Sequence, residues 1–112
     1  MYKNIYQIDE LNDFIKSNPA ALVYFSTPEC NVCKVLKPKT LEFINENFPL
    51  IETAYVDCEK AKELAAQNRV FTVPVIVIFF EGKEFIRKAR NFNFSDLYEE
   101  LNRTYSLLFE ES

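Results

Sequence analysis

Apolar residues along this chain form short continuous runs separated by stripes at helical spacing, and that alternation sets out the expected elements. After Ile5-Tyr6-Gln7-Ile8, read as a short strand, Leu11, Phe14 and Ile15 recur at helical spacing. Asp9 is available as a helix cap and Asn18-Pro19 as a stop. Ala20 to Phe25 is an unbroken apolar run of the buried-strand type. A helix is expected from about Cys30 to Asn47, with Leu36, Leu41, Phe43, Ile44 and Phe48 available for its inner side and Pro38 expected to kink it. Leu50 to Val56 reads as a further strand, and Glu59 to Asn68 carries the Ala and Leu of a short helix. Val73 to Phe80 is the most apolar run. Glu81-Gly82-Lys83 turns it back into Glu84 to Ala89, whose mixed composition suits an edge strand. Asn93 or Ser95 opens a last helix holding Leu97, Leu101, Tyr105 and Leu108. The order β-α-β-α-β-α-β-β-α predicts an α/β domain with a parallel portion covered by helices on both faces, ending in an antiparallel hairpin and a helix. Tyr24, Phe25, Phe79 and Phe80 are assigned to its core, because large residues on central strands fill the interior.

Length and charge narrow the classes. A chain of 112 residues fits one domain, residues 1–112, able to bury a core without disulfide or metal staples. A net charge of −4 with mixed signs argues against a nucleic-acid surface, which needs clustered Lys and Arg. Met1-Tyr2-Lys3-Asn4-Ile5-Tyr6 lacks the basic start and apolar stretch of a secretory signal, and no segment approaches the roughly 20 apolar residues that span a bilayer. A cytoplasmic protein, monomeric and away from membranes, is the expectation; there cysteines are normally reduced and a lone pair points to catalysis. No internal repeat or low-complexity segment interrupts the chain.

Chemistry concentrates at Cys30-Asn31-Val32-Cys33, directly after the apolar run Ala21-Leu22-Val23-Tyr24-Phe25 and at the start of a helix. Two cysteines at this spacing can close a small disulfide ring. The helix start adds unpaired N–H groups and the positive end of the macrodipole, which favour a thiolate. Glu29 opposes thiolate formation and Lys34 favours it. The plainer reading, two small core residues, fits the behaviour of many free cysteines. A structural zinc site or a shared iron–sulfur cluster wants four ligands, and the chain has no histidine and only Cys58 besides the pair. No metal or cofactor is therefore expected. Cys58, after Val56-Asp57 at a strand end, reads as a buried thiol. Phe92 and Phe94, in Arg90-Asn91-Phe92-Asn93-Phe94, are candidates either for a target surface or for burial under the last helix. Glu99, Glu100, Glu110 and Glu111 read as a solvated helix face and tail. Pro74 is odd at the start of the most apolar strand, because proline removes a ladder donor; a trans proline that merely starts the strand is the ordinary explanation.

Taken together, a β-α leader, Cys-x-x-Cys at a strand–helix junction, Pro38 in that helix, Val73-Pro74 before the next apolar strand and Gly82 in the hairpin resemble the thioredoxin family over nearly the whole chain. The resemblance implies a three-layer α/β/α sandwich around a mixed sheet. It implies a thiol–disulfide oxidoreductase reducing protein disulfides, with Cys30 attacking the target, Cys33 resolving the mixed disulfide, and a cis Pro74 whose neighbour Val73 pairs with an extended target segment. Disulfide-containing proteins and a thioredoxin-reductase-type donor are the implied partners. Departures are equally specific. Glu29-Cys30-Asn31-Val32-Cys33 stands where the family has Trp-Cys-Gly-Pro-Cys, replacing the dipeptide that tunes the potential. The family's buried aspartate falls on Tyr24, its second tryptophan on Ser26, and its groove glycine on Arg90 or close to it. Tyrosine, ordinarily titrating near 10, is a poor substitute for a proton-moving carboxylate. Two other readings follow. Thr72-Val73-Pro74 also resembles the glutaredoxin family, although the leader is extra and no Gly-Gly-x-x-Asp follows Pro74. A non-enzymatic redox sensor or partner-binding module would accommodate the missing tryptophan and aspartate.

Overall fold

A computed structural model describes residues 2–89 and 92–109, with the side chain of Val32 excepted. The groove position at Arg90 and the acidic tail at Glu110 and Glu111 lie outside these residues. Among the described residues, five strands form one mixed sheet in the order β1-β3-β2-β4-β5. They are β1 (Lys3–Asn4), β2 (Ala20–Ser26), β3 (Glu52–Asp57), β4 (Val75–Phe80) and β5 (Lys83–Ala89), interleaved with α1 (Ile8–Ser17), α2 (Asn31–Asn47), α3 (Lys62–Gln67) and α4 (Phe94–Phe109). The element order matches the one expected.

Side-chain alternation on the central strands builds both halves of the core. Ala21, Val23, Phe25, Val75, Val77 and Phe79 point to the layer made by Leu11, Phe14 and Ile15 of α1 and Leu64 and Ala65 of α3. Leu22, Tyr24, Ile76, Ile78 and Phe80 point the other way, against Cys33, Ile44, Phe48, Leu97 and Leu101. Because β2 and β4 are covered on both faces, they read as continuous apolar runs. Tyr24, Phe25, Phe79 and Phe80 are all buried, as expected.

Several boundaries differ from the pattern. Residues 5–8 are not a strand: β1 is Lys3–Asn4, in parallel register with Ala54 and Tyr55, and Ile5 beyond it is fully buried. Asp9 is not the cap of α1. Gln7 holds that position without a side-chain bond, Asp9 sits in the first turn, and Glu10 reaches back to accept from the Tyr6 N–H at 3.1 Å. α3 starts only at Lys62, because Asp57 Oδ1 accepts from the N–H groups of Glu59 (2.9 Å) and Lys60 (3.3 Å) and holds that stretch as a turn. β4 starts at Val75, just past Val73-Pro74. Strand direction differs as well. β1, β3 and β2 are parallel, but β4 runs antiparallel to β2, and β5 antiparallel to β4 at the sheet edge. An apolar run buried on both faces carries no signal of its direction. Glu81 and Gly82 close the hairpin with φ of 52° and 82°, the positive values that a tight two-residue turn between twisted strands requires. α4 is capped as anticipated, Asn93 Oδ1 accepting from the Asp96 N–H at 2.8 Å.

Candidate dithiol site

The site sits where β2 hands over to α2. The Ser26 carbonyl, at the end of β2, accepts from the Cys58 N–H at 2.8 Å. The chain then turns, with the Cys30 N–H donating to the Thr27 carbonyl at 3.3 Å. Cys30 occupies the N-cap of α2: its Sγ accepts from the Cys33 N–H at 3.2 Å and its carbonyl from the Lys34 N–H at 3.2 Å. Cys30 and Cys33 are joined by a disulfide, their Cα atoms 5.2 Å apart. The two sulfurs are not equivalent in exposure. Cys30 is half-buried whereas Cys33 is only 2% exposed. In the reduced state, the N–H groups of the first turn and the helix dipole would favour a thiolate at Cys30.

Val73 and Pro74 meet this junction from the other side. Val75 pairs with Phe25, so the residues just before it lie beside the end of β2, where the cysteine loop departs. The Val73-Pro74 peptide is cis, Pro74 is buried, and Val73 is half-buried in the same apolar cluster as Cys30 and Cys33. All four residues singled out from the sequence thus converge on one corner of the fold. Phe71, three residues before Pro74, is 80% exposed. Phe92 and Phe94 are half-buried and belong to the α2/α4 layer, with the Phe94 ring 4.9 Å from that of Phe43.

Beneath the pair lies a polar aromatic cluster that sequence reasoning missed apart from Tyr24. Tyr24 is fully buried, with its hydroxyl 3.5 Å from the Cys33 carbonyl oxygen, a long contact. Its ring lies 5.9 Å from Tyr2 and 6.3 Å from Tyr55. Ser26, the residue at the tryptophan position, is buried and donates to the Tyr55 hydroxyl at 3.0 Å. Tyr2 donates to the Lys37 carbonyl at 2.8 Å, and the Lys37 ammonium stands 3.4 Å from the centre of the Tyr55 ring and 5.6 Å from that of Tyr2. Burial raises the pKa of Tyr24, with Tyr55 adding to it, and burial likewise raises Tyr2 and Tyr55. All three are therefore neutral phenols at ordinary pH. Burial lowers Lys37, and the Asp57 carboxylate partly offsets this. One signal for the cluster was available: Cys33, Lys37, Thr40 and Ile44 follow helical spacing along one face of α2, and Lys37 breaks the pattern. Cys58 packs on the opposite side of the sheet, against the α1/α3 layer; burial, with Asp57 beside it, pushes its thiol up to about 11. Among the described residues, no group of three His, Cys, Asp or Glu is placed to hold a metal ion, and no helix is long and apolar enough to cross a membrane.

The chain as a whole is similar to known proteins. A family model described as Thioredoxin matches residues 4–103. Thioredoxin-like protein YdfQ of Bacillus subtilis (strain 168) is 34% identical over 103 residues, which cover 92% of this chain and 91% of that protein. Thioredoxin-1 of Saccharomyces cerevisiae is 27% identical over 75 residues, 67% of this chain and 72% of that one. Among solved structures, Fasciola hepatica thioredoxin superposes with a TM-score of 0.77 at 27% identity, covering 90% of this chain and 97% of that one. Oxidised mitochondrial thioredoxin 3 of S. cerevisiae gives 0.80 at 18% identity over 91% and 94%, a likeness of fold. The architecture is the thioredoxin fold, with the expected three layers, mixed sheet and terminal hairpin plus helix.

Proposed function

We propose that this chain, which belongs to the thioredoxin family, is a thiol–disulfide oxidoreductase that reduces protein disulfides through Cys30 and Cys33. The observation that carries the reading is the asymmetric pair: a half-buried Cys30 at a helix cap, disulfide-bonded to a buried Cys33. The Cys30 thiolate attacks one sulfur of a target disulfide, and the other target sulfur leaves as a thiolate. The Cys33 thiolate then attacks Cys30 Sγ, and the bond from Cys30 to the target breaks. The target departs with both sulfurs reduced, and the chain carries the internal disulfide. Two electrons have passed to the target, and a thioredoxin-reductase-type donor returns them.

Target recognition falls to the main chain of Val73, held by Pro74, which would pair with an extended target segment so that sequence-tolerant hydrogen bonds supply most of the contact. The leader of β1 and α1, absent from glutaredoxins, supports protein disulfides over glutathione mixed disulfides. A cytosolic setting belongs to this reading, with Cys58 kept as a free thiol.

Reduction of insulin disulfides with dithiothreitol as donor tests it. The wild-type protein accelerates insulin precipitation over dithiothreitol alone, and Cys30→Ser abolishes the acceleration; an unchanged rate in Cys30→Ser overturns the assignment. Tyr24, a buried neutral phenol where the family has a carboxylate, favours a second reading, a redox sensor that oxidises readily and turns over slowly. Recycling by thioredoxin reductase separates the two, since a sensor would gain no steady turnover from it.

A further inference from the structure

Cys33 is the buried member of the pair, and to resolve a mixed disulfide it must lose its proton inside the α2/α4 layer. The groups around that layer are an unusual set for the task. Tyr24 on β2, Tyr2 at the N-terminus and Tyr55 on β3 are all neutral phenols, and none can take up a negative charge cheaply there. Asp57 is the acidic residue at the end of β3. It is buried, but its Oδ1 already caps the turn at Glu59 and Lys60. Of the cations on this side of the sheet, Lys88 on β5 is already paired with Glu100 of α4 at 2.8 Å, which leaves Lys37 on the helix of Cys33 itself. It lies one helical turn beyond Cys33 on the same face of α2, where residues four apart are neighbours, with about 5–6 Å between their Cβ atoms. Its stem is fixed by its own helix, and the Tyr2 hydroxyl donates to its backbone carbonyl. Its ammonium is held over the Tyr55 ring at 3.4 Å, with Tyr2 on a second side at 5.6 Å. A lysine on an exposed helix face would be free to swing into water, whereas this one is caged between two aromatic rings on the side of α2 that faces the sheet.

We propose that Lys37 is a positioning residue for the resolving step: its ammonium, caged by Tyr2 and Tyr55, favours the thiolate of Cys33 in a place where the thioredoxin family has a buried aspartate and this chain has Tyr24. The inference rests on the dithiol reading and names how its second step is driven. Where a carboxylate would accept the proton of Cys33, the lysine stabilises the anion left when that proton goes to solvent. The step balances as before: the Cys33 thiolate attacks Cys30 Sγ, the Cys30–Cys33 bond forms, and the bond from Cys30 to the leaving sulfur breaks.

A nearby positive charge lowers a thiol's pKa by about one unit or more, and we take about one because Lys37 is only half-buried. Losing it lowers the Cys33 thiolate fraction about tenfold at neutral pH. The higher intrinsic nucleophilicity of the more basic thiolate returns about threefold of this, leaving attack about three- to fourfold slower.

The experiment uses the reduced full chain with Cys58→Ala, mixed with dithiobis(nitrobenzoate) under single-turnover conditions. Cys30 takes one thionitrobenzoate, and release of the second reports attack by Cys33. We expect the midpoint of the pH–rate profile of this second release to rise by about one unit in both Lys37→Met and Lys37→Gln. Their rates at neutral pH should fall about three- to fourfold, and Lys37→Arg should keep the wild-type midpoint. Neutral variants that keep the wild-type midpoint, or an arginine variant that shifts as far as the neutral ones, overturn the role of Lys37 and leave the dithiol reading standing. Absence of any second release in the Lys37-containing protein overturns the dithiol reading itself.

Discussion

Cys58 offers a quantitative check on burial at the end of β3, because it is the free thiol of a chain whose other two cysteines are paired. It follows β3, half-buried against the α1/α3 layer, with its N–H donating to Ser26. Burial, with the Asp57 carboxylate next to it, moves its pKa from 9.0 to about 11. At about pH 7 both values leave the thiol protonated, so a two-unit rise lowers the thiolate fraction about a hundredfold. Thiolate nucleophilicity rises with basicity with a Brønsted slope of about 0.4–0.5, returning about eightfold. Cys58 should therefore react with a neutral disulfide about tenfold more slowly than an unperturbed thiol, and more slowly still where access is limited. The assay takes the oxidised protein, in which Cys30 and Cys33 are closed, and follows thiopyridone release from 4,4′-dithiodipyridine as a function of pH. The rate should climb steadily and level off only near pH 11. A plateau below about pH 9, or a neutral rate equal to that of reduced glutathione, refutes the burial argument.

Further outcomes follow from packing and charge. Phe48 is 1% exposed, and its ring lies 5.3 Å from Tyr98 and 4.9 Å from Tyr105, tying α2 to α4, so Phe48→Ala should cost about 4 kcal/mol in urea unfolding; a loss under about 1 kcal/mol contradicts that role. Phe71→Ala, at an 80% exposed position, should change stability by less than about 0.5 kcal/mol in the same assay. Asn93→Ala removes the cap of α4 and should cost about 1 kcal/mol, read as a lower urea midpoint at unchanged slope. The folded pKa values of Cys58, Tyr2, Tyr24 and Tyr55 all lie above their ordinary values, so their contribution is complete at low pH and is lost as pH rises through the raised values, the unfolded chain ionising first. The urea midpoint should accordingly fall from about pH 9 upward, and a level or rising midpoint there counts against the buried neutral cluster.

The parts of the fold legible in the sequence were those written in periodicity and in local chemistry. Ala20 to Phe25 and Val75 to Phe80 announce themselves because strands covered on both faces need apolar residues at every position. The cap at Asn93 and the turn at Gly82 are local devices that the sequence states directly. Cys30, Cys33, Val73 and Pro74 were legible as a set through spacing and family resemblance. What escaped is non-local. β1 is two residues long and exposed, and exists only because Lys3 and Asn4 find partners on β3. The antiparallel sense of β4 depends on how the chain after α3 returns to β2, which hydrophobicity does not encode. Residues 59–61 look helical by composition, but the Asp57 side chain accepts from the N–H groups of Glu59 and Lys60 and holds them in a turn. The cluster of Tyr2, Tyr24, Tyr55 and Lys37 draws on the N-terminus, two strands and a helix, so only the folded chain brings those groups together.

A dithiol site at the start of α2 requires that Cys30 and Cys33 form a reversible two-electron couple. The most direct measurement equilibrates the protein in graded thiol/disulfide buffers, quenches it with an alkylating agent and counts modified cysteines by mass spectrometry. Both cysteines should convert together in one two-electron transition below about −200 mV, in the range of thioredoxin and the glutaredoxins, while Cys58 stays a thiol throughout. Cysteines that remain in one state across the whole series, or that convert independently of each other, would contradict it.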